Sequence, residues 1–111
     1  MLMQDGRAIT DFGVEKMRDD FPTVRHPRSL IGVDGDGAVW LVAVDGRRPE
    51  HSVGMSFEEL QRLAAVLGLR DAVNLDGGGS TTLVVQGEVV NRPTDLTGPR
   101  AVSDAIAVLP R

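Results

Sequence analysis

The run NLDGGGSTT, residues 74–82, holds the densest group of chemically useful side chains and bare backbone in the sequence. Asp76 closes an apolar stretch, Ala72-Val73-Asn74-Leu75, that reads as a strand; Gly77, Gly78 and Gly79 follow, then Ser80, Thr81 and Thr82. Successive glycines lose much conformational freedom on folding, so this position must need backbone that other residues do not supply. Glycine reaches conformations closed to other residues and lets a ligand come close to the main chain, where successive N–H groups can form an anion-binding nest. A carboxylate at a strand end, beside such a cradle and a row of hydroxyls, suits chemistry on a phosphorylated or sugar substrate. The run lacks the G-x-x-x-x-G-K-[ST] spacing and following helix of a P-loop, and it is not the G-x-G-x-x-G turn of a dinucleotide fold. The competing reading is a glycine-filled bulge or tight corner.

Three further segments bring charge next to expected strands. RHPRS (25–29) sets Arg25, His26 and Arg28 before one strand, VDGR (44–47) sets Asp45 and Arg47 after another, and GPRAVSD (98–104) sets Arg100 before a last one. Arginine offers a planar fork suited to phosphate and carboxylate. If these strands share a sheet with 72–75, the groups crowd one edge; singly, each arginine, His26 and His51 reads as an ordinary surface residue. Asp34 and Asp36 fit a turn, DGDG, better than an EF-hand, whose further ligands and later glutamate are missing. With Asp45 they leave a calcium site open, but no metal or other cofactor is required.

The elements that must position these groups are legible from pattern. MLMQDGRAI reads as a hairpin turning at Asp5-Gly6. SLIGVD and AVWLVAVD read as a second hairpin turning at Gly35-Asp36-Gly37. Residues 10–25 read as a loop with at most one helical turn. The one strong helix spans 56–67: Ser56 and Glu59 form a capping box, Met55 and Leu60 a hydrophobic staple, and Gly68 the stop. Phe57, Leu60, Leu63, Ala64 and Leu67 share its apolar face, which must bury against a sheet. TTLVVQ and EVVN read as a third hairpin at Gln86-Gly87, and AVSDAIAVL as a final strand. The fold class is therefore α+β: a mixed or mostly antiparallel sheet with one main helix packed on a face.

Composition sets limits. A chain of 111 residues with 41% hydrophobic content supports one domain with a small core, and 4% aromatics make that core aliphatic. Absent cysteine excludes disulfides and thiolate-bound zinc. A net charge of −4 argues against general nucleic-acid binding, although the basic set is 11 arginines and a single lysine, Lys16. No apolar run is long enough for membrane insertion, and MLMQDGRAIT is not a signal peptide, which leaves the compartment open.

The segments HPRSLIGVDGDGAVWLVAVDGR, SVGMSFEELQRLAAVLGLRDAVNLDGGGSTTLVVQGEVVNRP and RAVSDAIAV, in that order, resemble the phosphodiester glycosidase family from about Arg25 to the C-terminus. The resemblance implies a glycoside hydrolase that releases a sugar from a phosphodiester, with a phosphate-linked glycan as partner. It implies that Arg28, Asp45, Arg47, Asp76, Gly77, Gly78, Gly79, Ser80 and Arg100 lie in or near the active centre, without assigning their roles. Position 29 is serine where the pattern more often has threonine. The family pattern has an upstream part with its own glycine- and asparagine-rich motif. The reading therefore expects residues 1–111 to be a single domain corresponding to the C-terminal part of the family domain. It also expects a homodimer or an upstream partner segment. Asp76 and Asp45 are the catalytic candidates; Arg28, Arg47, the glycines, Ser80 and Arg100 are the phosphate-binding ones. The alternatives are a phosphoglycan-binding or assembly module without turnover, and a structural half of a split enzyme. Family members are often exported.

Overall fold

The computed structural model describes residues 1–9, 24–95, 99–102 and 105–109. The expected loop over 10–25 thus lies outside the described residues but for its last two positions. The fold is α+β, with antiparallel pairing throughout the described ladders and one α-helix.

Strands β1 (Met3–Gln4) and β2 (Arg7–Ala8) form the first hairpin. Both turn residues, Asp5 and Gly6, have positive φ (51° and 81°), as the tightest hairpin turns require. Strands β3 (Arg28–Asp34) and β4 (Val39–Val44) form the second, in register from Arg28↔Val44 to Val33↔Val39. Its turn is locked by Asp34, whose carboxylate accepts from Trp40 Nε1 (3.0 Å), Ala38 N (3.0 Å) and Asp36 N (2.9 Å). These bonds, Trp40's foremost, hold Asp34 below its usual pKa. Asp34 is thus a turn residue, and no group of three or more His, Cys, Asp or Glu able to hold a metal ion gathers among the described residues.

Helix α1 (Phe57–Val66) begins at Ser56, whose hydroxyl accepts from Glu59 N (3.1 Å) while Glu59 Oε1 accepts from Ser56 N (3.0 Å). The capping box is therefore complete. Phe57, Leu60 and Ala64 are fully buried against Leu2, Met3, Leu30, Leu69 and Ala72, with Met55, Leu63 and Leu67 partly buried around them. Gly68 (φ 77°) turns the chain directly into strand β5 (Leu69–Asn74).

The main sheet runs β2-β1-β5-β3-β4. β5 is central, and only its core-facing residues Leu69 and Ala72 are buried. A bulge between Val33 and Asp34 skips one β5 residue, Arg70, which is why Leu69 and Ala72 both face the core although they are three positions apart. The opposite face leaves Val33, Val39 and Val73 exposed, and β4 is an edge. Strands β6 (Val84–Val85) and β7 (Glu88–Val89) form the third hairpin, shorter than expected and outside the main sheet.

The final strand expected over 101–109 does not form among its described residues. Alternation specifies faces, not a partner edge, and no ladder receives this segment. Val102, Ala105 and Ile106 instead line a cleft, while Val108 and Leu109 are exposed.

The helix N-terminus carries a pH signature. Arg25 clamps Glu59 with Nε–Oε1 at 2.8 Å and Nη2–Oε2 at 3.3 Å. This bond, ahead of the Ser56 N–H, pulls the Glu59 pKa from 4.5 to about 2. A depressed folded-state value contributes stability above the unfolded value and loses it as pH falls through the folded one. Glu59→Gln should therefore lower the melting temperature at neutral pH, and the gap should close between pH ~4.5 and ~2. The pair is exposed, so 1 M salt should shrink the gap. A gap that persists at pH 2 would assign the effect to neutral hydrogen bonding instead.

Candidate active site

The glycine run leaves β5 and folds back on the start of β3. The Gly78 N–H donates to the Pro27 carbonyl (3.0 Å), Leu75 N donates to Ser29 O (2.8 Å), and Ser29 Oγ donates to the Asp76 carbonyl (2.6 Å). Gly78–Ser80 then makes one turn of 3-10 helix, with Ser80 N on Gly77 O and Thr81 N on Gly78 O. Three of the loop's N–H groups are thus already bonded, which narrows the expected nest.

Each glycine meets a different demand. A Cβ on Gly77 would lie 2.7 Å from the Pro27 carbonyl oxygen, a backbone atom that cannot move aside. Gly78 has φ 59°, and its missing Cβ leaves room for the Arg47 guanidinium, 3.2 Å from that position. Gly79 is buried beneath Arg100, whose guanidinium occupies the place a Cβ would take. The run is a tight corner, as the bulge reading has it, and the Arg47 and Arg100 guanidinium groups lie close to Gly78 and Gly79.

Those arginines are held from behind. Arg100 donates twice to Asp95, Nε–Oδ2 at 2.7 Å and Nη2–Oδ1 at 2.8 Å, which raises the Arg100 pKa; the charge of Asp76 adds a smaller push. The same bond lowers Asp95. Arg47, at φ 55°, donates from Nε (3.3 Å) and Nη2 (3.1 Å) to His26 Nδ1. Arg28 differs from the expectation. It is buried on the core side of β3, and its guanidinium donates to Met55 O (2.9 Å) and Val24 O (2.7 Å). Burial and then the charge of Arg47 lower its pKa. Its position argues for a backbone clamp and not a fork presented to a cleft.

The two catalytic candidates also part company. The Asp76 carboxylate is exposed and makes no hydrogen bond or ion pair among the described residues. The Asp45 carboxylate is mostly buried and accepts from His51 Nε2 (3.0 Å), Asn91 Nδ2 (3.1 Å) and Arg92 N (2.9 and 3.0 Å). Burial pushes its pKa up, but the His51, Arg92 and Asn91 bonds outweigh this and leave it lowered. Among the described residues Asp45 makes no hydrogen bond or ion pair with Arg47; it ties β4 to the 91–92 segment. Asn91 extends the tie to Thr81 O (2.9 Å) and Leu83 N (2.8 Å). Asn91, His51 and Ser29 join the candidate site through hydrogen bonds that their residue types alone do not announce.

Beside the loop lies a cleft of about 500 Å³. Leu41, Ala43, Leu75, Val102 and Ile106 form its apolar walls, and Asp76, Ser80, Thr82, Ser29 and Arg100 its polar rim. The Thr82 hydroxyl is buried without a partner, as are Thr81 Oγ1 and Asn74 Oδ1.

This constellation can be set against known proteins. The phosphodiester glycosidase family profile matches residues 1–109. The chain belongs to the phosphodiester glycosidase family. The N-acetylglucosamine-1-phosphodiester alpha-N-acetylglucosaminidase of Mus musculus is 31% identical over 94 residues, covering 79% of this chain and 18% of that protein. A solved Burkholderia pseudomallei structure is 49% identical with a TM-score of 0.68, over 70% of this chain and 15% of that one. The zebrafish N-acetylglucosamine-1-phosphodiester alpha-N-acetylglucosaminidase catalytic domain is 27% identical with a TM-score of 0.73, over 85% of this chain and 33% of that one. The chain thus spans 18% of the length of the curated relatives it matches.

The three glycines of the loop should respond differently to alanine. Gly77→Ala meets backbone and should cost roughly 1–3 kcal/mol of stability, as overpacking does. Gly78→Ala should cost about 1–2 kcal/mol from its left-handed φ. Gly79→Ala meets first the movable Arg100 side chain, so it should melt within a few degrees of the parent while displacing that side chain. Melting curves of the three variants check this; equal stability losses in all three would mean the loop is merely a packed corner.

Proposed function

We propose that this chain carries the phosphate- and anomeric-carbon-binding part of a site that hydrolyses a sugar–phosphodiester to free sugar and a phosphate monoester. The observation that supports it most is the unbonded Asp76 carboxylate on the rim of a cleft, beside two arginines laid on the glycine loop. Relatives named for N-acetylglucosamine-1-phosphodiester make that sugar the first to try.

The chemistry follows from the leaving group. In an ordinary glycoside the departing alkoxide needs a general acid. Here the bond between the anomeric carbon and oxygen breaks to release a phosphate monoester, whose second pKa is about 6, so protonation matters less. Charge stabilisation matters more, and guanidinium groups with loop N–H groups supply it. Arg100 and Arg47 hold the phosphate over Gly77–Gly79, with Ser80 at the edge. Asp76 serves the sugar carbon, as a nucleophile or as the base that takes a proton from the attacking water. Asp45 and Arg28 act on this reading by fixing the surrounding segments. No cofactor enters the scheme. The exposed valines of the outer sheet face suit packing against a second copy, and sedimentation of the purified chain should show a dimer; a stable, active monomer would contradict that.

Incubation with the methyl phosphodiester of N-acetylglucosamine in ¹⁸O-water tests the reaction. Methyl phosphate should form without ¹⁸O, because the carbon–oxygen bond breaks. Asp76→Asn should lose about 10³-fold or more in turnover while keeping most of its affinity, the mark of a group needed in the transition state. Arg100→Lys should lose affinity, since lysine lacks the bidentate fork. Binding without turnover in the parent chain would instead favour a phosphoglycan-binding module, and labelled methyl phosphate would mean a phosphodiesterase.

A further inference from the structure

We infer that the cleft beside the glycine loop takes the ester arm of the substrate and that this arm is a hydrocarbon, so that the substrate class is a glycosyl phosphodiester of an aliphatic alcohol. The inference rests on the phosphodiester reading of the site and adds to it the chemistry of the leaving alcohol.

The cleft has a floor of sheet. Side chains alternate between faces along a strand, and Leu30 faces the core, so Ser29 faces away from it. The register pairs Ser29 with Ala43 and Ile31 with Leu41, which puts Ala43 and Leu41 on that same outer face. Leu75 N donates to Ser29 O at 2.8 Å, and Leu75 joins them in lining the cleft. The facing wall comes from two segments outside the main sheet: Leu83, just before β6, and Val102 with Ile106. These last two keep about half of their surface in water, 48% and 49%. Covering them with an apolar group removes that area from water, and this drives association.

Of the residues that line the cleft, Asp76 and Arg100 carry charge, and the charge of Asp76 reaches Arg100. The phosphate and the anomeric carbon therefore belong where these two stand together. Two arms leave the phosphorus, one to the sugar and one to the second alcohol, and the cleft receives one of them. A sugar has hydroxyls on most of its carbons, and each one buried without a partner costs affinity. Beyond the charged pair, the polar lining is Ser29, Ser80 and Thr82, and Ser29 Oγ already donates to the Asp76 carbonyl. The rest is aliphatic. The sugar thus stays on the open side of Asp76, and the arm that enters has few hydroxyls to satisfy. A volume of about 500 Å³ holds an arm of several carbons.

Calorimetric titration of the chain with the methyl, propyl, butyl and hexyl phosphodiesters of N-acetylglucosamine, each below the concentration at which it would form micelles, tests this. All four share one sugar and one negative charge, so only apolar length varies. The Kd should fall about two- to fourfold for each added methylene, the upper figure being full burial. The 2,3-dihydroxypropyl diester has the carbon count of the propyl one and should bind about tenfold more weakly than it. Ile106→Ser and Leu41→Ser should each cut the ratio of methyl to hexyl Kd several-fold. Ile106 lies outside every strand, and melting temperature controls for folding in both. Val39→Ser, on the exposed sheet face but outside the cleft, should leave that ratio as it is. A Kd that stays within about threefold across the four diesters, or tighter binding of the dihydroxypropyl than of the propyl diester, would overturn the inference while leaving the phosphodiester reading in place. A ratio that only Val39→Ser lowers would put the arm on the outer sheet face and overturn it too. If none of the diesters binds, the phosphodiester reading fails and this inference falls with it.

Discussion

The contact on which the site depends is the close approach of three chain segments to the backbone of His26 and Pro27. Pro27 is fully buried. Gly46, leaving β4, and Gly77, leaving β5, both pack within 3 Å, measured from their missing Cβ atoms, of Pro27 backbone atoms; Gly54 does the same against His26. The Gly78 N–H closes the junction on the Pro27 carbonyl. Side chains would hold these segments apart by their own width. Glycine lets them touch, and the residues just after each glycine, Arg47 and the 78–80 turn among them, are brought to one place. The entropy lost at so many glycines is thus offset by a junction that larger residues could not form.

Electrostatics then separates two aspartates that look equivalent in sequence. Each ends a strand, and each is followed by glycine. Asp45 has its oxygens engaged by a histidine, an asparagine and a backbone N–H, so it works as a tie between β4 and the segment after β7. Asp76 has a carboxylate open to the cleft, with Arg100 close enough for each charge to be felt. An ionised group that already accepts from several donors gains little from a substrate, whereas an unbonded one is available to it.

Local chemistry was the part legible from sequence. The S-x-x-E box, the Asp5-Gly6 turn and the DGDG turn each act within a few residues, and each formed as expected. The glycine run was recognisable because its composition departs from ordinary strand ends. Long-range pairing was not legible. Arg28 sits in a strand pattern where its core-side partners, the carbonyls of Met55 and Val24, leave no trace in side-chain type. Two partners of Asp45, Asn91 and Arg92, lie 46 and 47 residues on, so only the fold reveals them. The alternation over 101–109 gave the faces of a strand but not a neighbour to pair with, and the described segment lines a cleft instead.

The most direct test of this account is a ¹H–¹⁵N NMR titration of the chain with the methyl phosphodiester of N-acetylglucosamine. If the glycine junction is the phosphate site, the largest shifts should fall on the amides of Asp76 to Ser80 and on the side-chain Nε–H groups of Arg47 and Arg100, while the capping box of α1 stays still. Saturable binding that moves the β6–β7 hairpin or the outer sheet face, and leaves the glycine loop and both arginines unmoved, would contradict it.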